Sequence, residues 1–162
     1  MVSCVFPGSF DPVTRGHLDL ISRASRIFDR VTVTVMVNIH KAGAISPEQR
    51  VALLRKACSP YENVRVEKWD GLLADYMRKK EEKILIRGVR DAEECGKELQ
   101  SAAASRLLND QYEVFLIPSA PEYTGVSSTA VREIAAFGGE IGAFVPEGLT
   151  EEITALLSNK KH

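Results

Sequence analysis

Five short apolar runs recur along the chain: Val2 to Phe6, Val31 to Val37, Val64 to Val66, Ile84 to Ile86 and Tyr112 to Ile117. The stretches between them are long enough for crossover helices. That alternation predicts an α/β domain built on a five-stranded, mainly parallel sheet with helices on both faces. Consecutive Val and Ile within the runs suit strands buried on both sides.

The helices carry start signals of their own. Ser46-Pro47-Glu48-Gln49 reads as a capping box, with Pro47 in the first helical position. Val51, Leu54 and Ala57 or Cys58 then give a buried stripe. In the first helix Leu18, Ile21 and Phe28 join Leu20, Ala24 and Ile27 in a broad apolar face. A long helical pattern runs from about Asp91 to Leu108, with acids early and Arg106 late, as the helix dipole favours. Ser127 or Ser128 can cap another helix, and Thr150-Glu151-Glu152 can open the last. Asn159 to His162 is expected to fray.

With 162 residues, 44% hydrophobic and 27% charged, the chain suits one domain over residues 1–162 with a core of its own. Its net charge of −1 excludes the broad basic field of a general nucleic-acid binder, so any phosphate chemistry must rest on a local site. Cys4, Cys58 and Cys95 are odd in number and contain no C-x-x-C pair, so they are read as reduced, ordinary residues. No secretory signal or membrane-length apolar run is visible, which predicts a cytoplasmic protein without a membrane partner.

Four clusters fall at one predicted edge of the sheet. In Val5 to Ile21, VFPGSFDPVTRGHLDLI, Thr14 can cap the first helix and place Gly16 and His17 in its first turn, where free N–H groups and the dipole favour an anion. Ser9 adds a hydroxyl just upstream. Ile86-Arg87-Gly88-Val89-Arg90 puts two arginine forks after a strand, a geometry suited to phosphate oxygens. Tyr123 to Thr129 gathers hydroxyls at a helix start, and Lys41 follows the second strand. Each has an ordinary reading as well: a solvent-facing histidine, surface arginines, simple N-capping, a loop charge. Together they supply cations, dipoles, hydroxyls and one imidazole, with no nucleophile beside an activating base. A G-x-x-x-x-G-K-[ST] loop is lacking, which disfavours a P-loop phosphotransferase. What remains is a grip on polyphosphate that stabilises charge during an in-line displacement.

The Thr14-Arg15-Gly16-His17 element, with Ser9 upstream and the Ser127-Ser128-Thr129 helix start, resembles the nucleotidyltransferase superfamily, whose fold is Rossmann-like. Within it the PGSFDPVTRGH opening, Asp70-Gly71-Leu72-Leu73-Ala74-Asp75-Tyr76 and Ile86 to Arg90 resemble the bacterial phosphopantetheine adenylyltransferase family, from Val2 to about Leu149. The resemblance implies transfer of AMP from ATP to 4′-phosphopantetheine, giving dephospho-coenzyme A and pyrophosphate. It implies that His17 bonds the α-phosphate, that Ser9 and Lys41 hold the acceptor phosphate and the transferring group, and that Arg87 holds the acceptor phosphate. Arg90 and Ser127, Ser128 and Thr129 would take the leaving phosphates. Phe10, Gly88, Glu98 and Val126 would lie by the nucleotide, and Leu72 and Leu73 by the pantetheine arm. Magnesium is expected mainly on the ATP phosphates. The resemblance further implies a homohexamer and leaves open whether coenzyme A feeds back on the site.

Two departures stand out. Where the family carries a segment resembling A-x-x-D-F-E-Y-E, this chain has Asp91-Ala92-Glu93-Glu94-Cys95-Gly96-Lys97-Glu98, without either aromatic, and Ser105 replaces an asparagine usual in the acceptor pocket. Val126 to Arg132 resembles the I-S-S-T-x-I-R element of the nicotinate and nicotinamide mononucleotide adenylyltransferases, the alternative reading; a non-catalytic nucleotide-binding module is a third.

Overall fold

The computed structural model describes residues 1–38, 40 and 42–158. In chain order the elements are β1 (Ser3–Gly8), α1 (Arg15–Ser25), β2 (Arg30–Val37), α2 (Pro47–Ala57), β3 (Val64–Asp70), α3 (Leu73–Lys80), β4 (Ile84–Val89), α4 (Ala92–Arg106), β5 (Glu113–Pro118), a single 3₁₀ turn at Pro121–Tyr123, α5 (Ser128–Ala136) and α6 (Thr150–Ser158). All five strands pair in parallel, in the order β3-β2-β1-β4-β5. The sheet is thus wholly parallel, a sharper outcome than the mainly parallel expectation.

Side-chain alternation separates the two faces. Cys4 and Phe6 of β1, Val31, Val33 and Val35 of β2 and Ile86 of β4 share a core with α1, α2, α5 and α6. Val5 and Leu85, the intervening positions, pack with Tyr76 and Met77 of α3 and with Tyr112. Both faces are therefore covered, which is why β1 can be apolar at successive positions. Within these cores burial pushes the Cys4 and Cys58 thiols up to about 12, so both are inert, protonated packing groups; Cys95 is partly exposed.

Two sequence expectations need correction. β3 continues four residues beyond Val66, because it is an edge strand: Glu67, Lys68, Trp69 and Asp70 keep the ladder with Thr34 to Val37 while half their side chains meet solvent. An apolar run understates such a strand. Ile27, expected on the buried face of α1, lies past the helix end at Ser25 and is 75% exposed. The capping box at Ser46 and Gln49 and the Ser127 cap form as expected, and Asp91 additionally caps α4 by accepting from the Glu94 N–H. Asn159 to His162, expected to fray, lie outside the described residues.

The strand order places the site. From β1 the chain winds outward to β3, then returns to β4 and β5 on the other side, so a crevice opens between the carboxyl ends of β1 and β4. Gly88 lies against α1 at that point: a Cβ there would come within 2.2 Å of Leu20 Cδ1, so any larger residue would make the Leu20 side chain shift. The start of α1 is held directly over the crevice.

Candidate functional site

Two adjoining clefts lie at the carboxyl edge. The first, about 340 Å³, is floored by Gly8 to Phe10 and walled by His17, Arg90 and the Val126 to Thr129 segment. The second, about 1270 Å³, extends past the ends of β2 and β3 to Asn38, His40 and Leu72. Gly8, Ser9, Arg87 and Arg132 border both. A ligand in one cleft would therefore meet a ligand in the other over Ser9 and Arg87.

His17 is the third residue of α1, and its ring closes a capping box with Thr14. The Thr14 backbone N–H donates to Nδ1 at 3.1 Å, and the Thr14 hydroxyl accepts from the His17 N–H at 3.3 Å. A nitrogen that accepts an N–H bond is unprotonated, so the neutral ring carries its proton on Nε2. Phe10 packs edge-on against the imidazole, with ring centroids 4.9 Å apart. Nε2–H is left as an oriented donor without a partner among the described residues. Burial, then the nearby Arg90 charge, push the His17 pKa down to about 4, with Glu94 opposing them. The ring opens onto the cleft, so water tempers this depression without changing its sign. His17 is neutral at pH 7.

The sign carries over to stability. Between a native pKa near 4 and an unfolded value of 6.5 the unfolded chain binds the extra proton, so the His17 contribution is complete above pH 6.5 and is lost as the pH falls toward 4. Denaturant melts from pH 7 to pH 4 should show falling stability, and a His17→Gln variant should show a shallower fall. Equal slopes in the two proteins would contradict the assignment.

Both expected arginines reach the first cleft, each already tied to a glutamate of α4. Arg87 donates to Glu98 through Nε at 2.8 Å and Nη2 at 2.7 Å, and to the Pro7 carbonyl at 3.0 Å. Arg90 donates to Glu94, with Nη2 to Oε1 at 2.6 Å, and to the Val126 carbonyl at 3.3 Å. A guanidinium has five N–H donors. These contacts engage three nitrogens, fixing each plane while one N–H on each Nη remains for an anion. Glu94 and Glu98, one turn apart, thus serve as orienting groups. Glu98, expected beside the nucleotide, lines the first cleft and also holds Arg87. Glu94 was not anticipated; its spacing of four from both Arg90 and Glu98 was the available signal.

At the start of α5 all three hydroxyls are held in place, but only Ser128 uses its proton. Ser127 accepts from the Ala130 N–H at 3.1 Å, Ser128 donates to the Pro12 carbonyl at 2.7 Å, and the Thr129 hydroxyl lies 3.2 Å from Arg132 Nη2. The donors left to offer are the Ser127 and Thr129 O–H groups, which only accept in these contacts, and the Ser128 and Thr129 backbone N–H at the positive end of the helix. Val126 lines the same wall, and Gly88 lies in its floor.

On the other side Leu72 lines the second cleft, whereas Leu73 packs into the core beneath α3. Lys41 lies outside the described residues. Among the described residues there is no grouping of three or more His, Cys, Asp or Glu that could hold a metal, and no helix long and apolar enough to cross a membrane. Three arginines against two glutamates leave the first cleft one net positive charge, and with the imidazole and the helix N–H groups it suits a polyphosphate.

A doubly wound parallel sheet with a polyphosphate cleft at its reversal point is the frame of the nucleotidyltransferases, and residues 5–134 match the Cytidylyltransferase-like family. A solved structure described as a candidate nicotinate-nucleotide adenylyltransferase from Vibrio parahaemolyticus superposes with a TM-score of 0.65 over 98% of this chain and 93% of that one, at 18% identity, which establishes the shared fold. The phosphopantetheine adenylyltransferase of Clostridium perfringens is 42% identical over 155 residues, 96% of this chain and 94% of its own length. That of Streptomyces coelicolor is 41% identical over 160 residues, 99% and 100% of the two chains. The chain belongs to the phosphopantetheine adenylyltransferase branch of the Cytidylyltransferase-like family.

Proposed function

We propose that the protein transfers the adenylyl group of ATP to the phosphate of 4′-phosphopantetheine, releasing pyrophosphate and forming dephospho-coenzyme A. The observation that carries this reading is the pair of clefts joined over Ser9 and Arg87. One is built for a polyphosphate, and the other is large enough for a long acceptor arm running past Leu72. An oxygen of the acceptor phosphate attacks the α-phosphorus, and the bond to the β-phosphate oxygen breaks with pyrophosphate as the leaving group. The acceptor phosphate is already a nucleophile, so the protein's task is positioning and charge stabilisation.

In this reading His17 Nε2–H donates to an α-phosphate oxygen as the equatorial oxygens gain charge. The free N–H groups of Arg87 face the acceptor phosphate, with Ser9 and Lys41 beside it. Those of Arg90 and the Ser128 and Thr129 backbone receive the β- and γ-phosphates, while Gly88 and Val126 border the base. Magnesium enters with ATP and offsets the charge of its phosphates. No dedicated carboxylate cage is needed when phosphate and water supply most ligands. We place the reaction in the cytoplasm.

The assembly is proposed to be a homohexamer. Support comes from α4, which buries none of its residues within one chain; Leu99 on it, Leu107 and Leu108 just after it, and Phe115 of β5 are exposed. Sedimentation at micromolar concentration tests this, and a monomer would exclude it.

The activity is tested by pyrophosphate release from ATP and magnesium with 4′-phosphopantetheine, nicotinate mononucleotide or nicotinamide mononucleotide in parallel. Release confined to phosphopantetheine supports the proposal and shows that α4 forms its pocket without the two aromatics. Release confined to a mononucleotide would transfer the chain to the alternative suggested by Val126 to Arg132. Silence with all three would point to a nucleotide-binding module.

A further inference from the structure

The turn from Ser9 to Pro12, shared by the two clefts, is tethered on every side. Arg132 Nη1 donates to the Asp11 carbonyl at 2.6 Å and Ser128 donates to the Pro12 carbonyl at 2.7 Å, which fixes the turn to α5. Arg50, in the first turns of α2 and only 6% exposed, donates from Nη1 to the Ser9 carbonyl at 2.8 Å. The fourth tether is the Asp11 side chain. It is 7% exposed, and its Oδ2 and Oδ1 accept the backbone N–H groups of Ala44 and Ile45 at 2.7 and 2.8 Å.

We propose that Asp11, backed by Arg50, is a positioning residue that registers the 42–45 segment of the acceptor cleft against the turn carrying Ser9. A carboxylate gives each of the two adjacent N–H groups its own oxygen, whereas the isosteric amide has one oxygen and an NH₂ donor in place of the other. The segment has no helix or strand of its own between β2 and α2, so no ladder sets its place, and these two bonds tie it to the turn. Gly43 passes close by: a Cβ there would lie 3.1 Å from Asp11 Oδ2 and 3.2 Å from Arg50 Nη2. Ala42, Gly43 and Ala44 line the second cleft and not the first, so slack in this clamp is felt on the acceptor side. The kinetic part of this inference rests on the proposed reaction; the structural part does not.

The test is Asp11→Asn in the full chain, with two readouts. The amide keeps one acceptor oxygen and turns an NH₂ donor toward the other N–H, so one of the two bonds must break. Hydrogen exchange at Ala44 and Ile45 should quicken about tenfold or more while β5 is unchanged, the signature of local rather than global opening. In steady-state assays kcat/KM for phosphopantetheine should fall about ten- to a hundredfold, as misplacement near reacting groups does, with KM for ATP held within about twofold. Arg50→Lys, which keeps the charge and loses the planar fork, should shift the same two readouts to a smaller degree, and it carries the test if Asp11→Asn does not fold. Unchanged exchange at Ala44 and Ile45 overturns the proposal. So does faster exchange without an acceptor-side change, or equal losses for both substrates. A wild-type protein inactive with phosphopantetheine would instead defeat the functional reading, and the exchange result would still judge the clamp.

Discussion

Replacing His17 by Ala is expected to lower the turnover of adenylyl transfer by about a hundredfold or more, the usual effect of losing one oriented donor to a developing anion in a partly dried site. The geometry behind this is specific. Thr14 occupies Nδ1 with its backbone N–H, so the only proton of the neutral ring points from Nε2 into the cleft. His17→Gln can return a donor near the same place and should recover part of the lost rate, whereas His17→Asn is too short to do so. Single-turnover measurements with saturating ATP and acceptor would separate this from binding. Near-normal turnover in His17→Ala would remove the imidazole from the mechanism.

Replacing Arg87 by Ala is expected to cost about a hundredfold in kcat/KM for the acceptor, since hydrogen bonds to charged groups contribute about 1.5–3 kcal/mol each. Two effects are mixed in that number. The variant loses the guanidinium shared by both clefts, and it strands Glu98, a partly buried carboxylate whose two oxygens both accept from Arg87. The double variant Arg87→Ala/Glu98→Gln removes the stranded charge. Its thermal stability should recover toward wild type while its acceptor kcat/KM stays low. If activity returned together with stability, Arg87 would be a structural partner of α4 and not a ligand for the acceptor phosphate.

These two residues also show how unequally the sequence speaks. The capping signal at Thr14 is local: a cap, a glycine and a histidine within four positions fix where the imidazole stands relative to the helix start, and the structure keeps that arrangement. Arg87 and Arg90 were equally visible after a strand. The Arg90–Glu94 pair had a local signal in its spacing of four, whereas the Arg87–Glu98 pair did not, because how α4 lies on β4 is set by packing across the sheet. The hydroxyls of Ser127, Ser128 and Thr129 looked available in one dimension. In three, the Pro12 carbonyl takes the Ser128 proton, while Ser127 and Thr129 are fixed as acceptors and keep their own protons to offer beside the backbone N–H groups. Leu73 is similar: it sits beside Leu72 in sequence, yet the turn into α3 sends one side chain to the cleft and the other to the core.

The sequence by itself determined the five strands and the helices alternating with them, the caps at Thr14, Ser46 and Ser127, the two-sided burial of the sheet and the family to which the chain belongs. Those features depend on periodicity and on contacts a few residues apart, or on motifs that survive as text. Only the tertiary structure decided that Asp11 reaches Ala44 and Ile45, that Arg50 reaches the Ser9 carbonyl across 41 positions, and that Arg87 stands between two clefts. Each of those depends on where distant parts of the chain meet once the strand order reverses beside β1. A buried carboxylate or guanidinium takes whichever partner the packed fold brings within hydrogen-bond reach, and linear spacing holds no record of that choice.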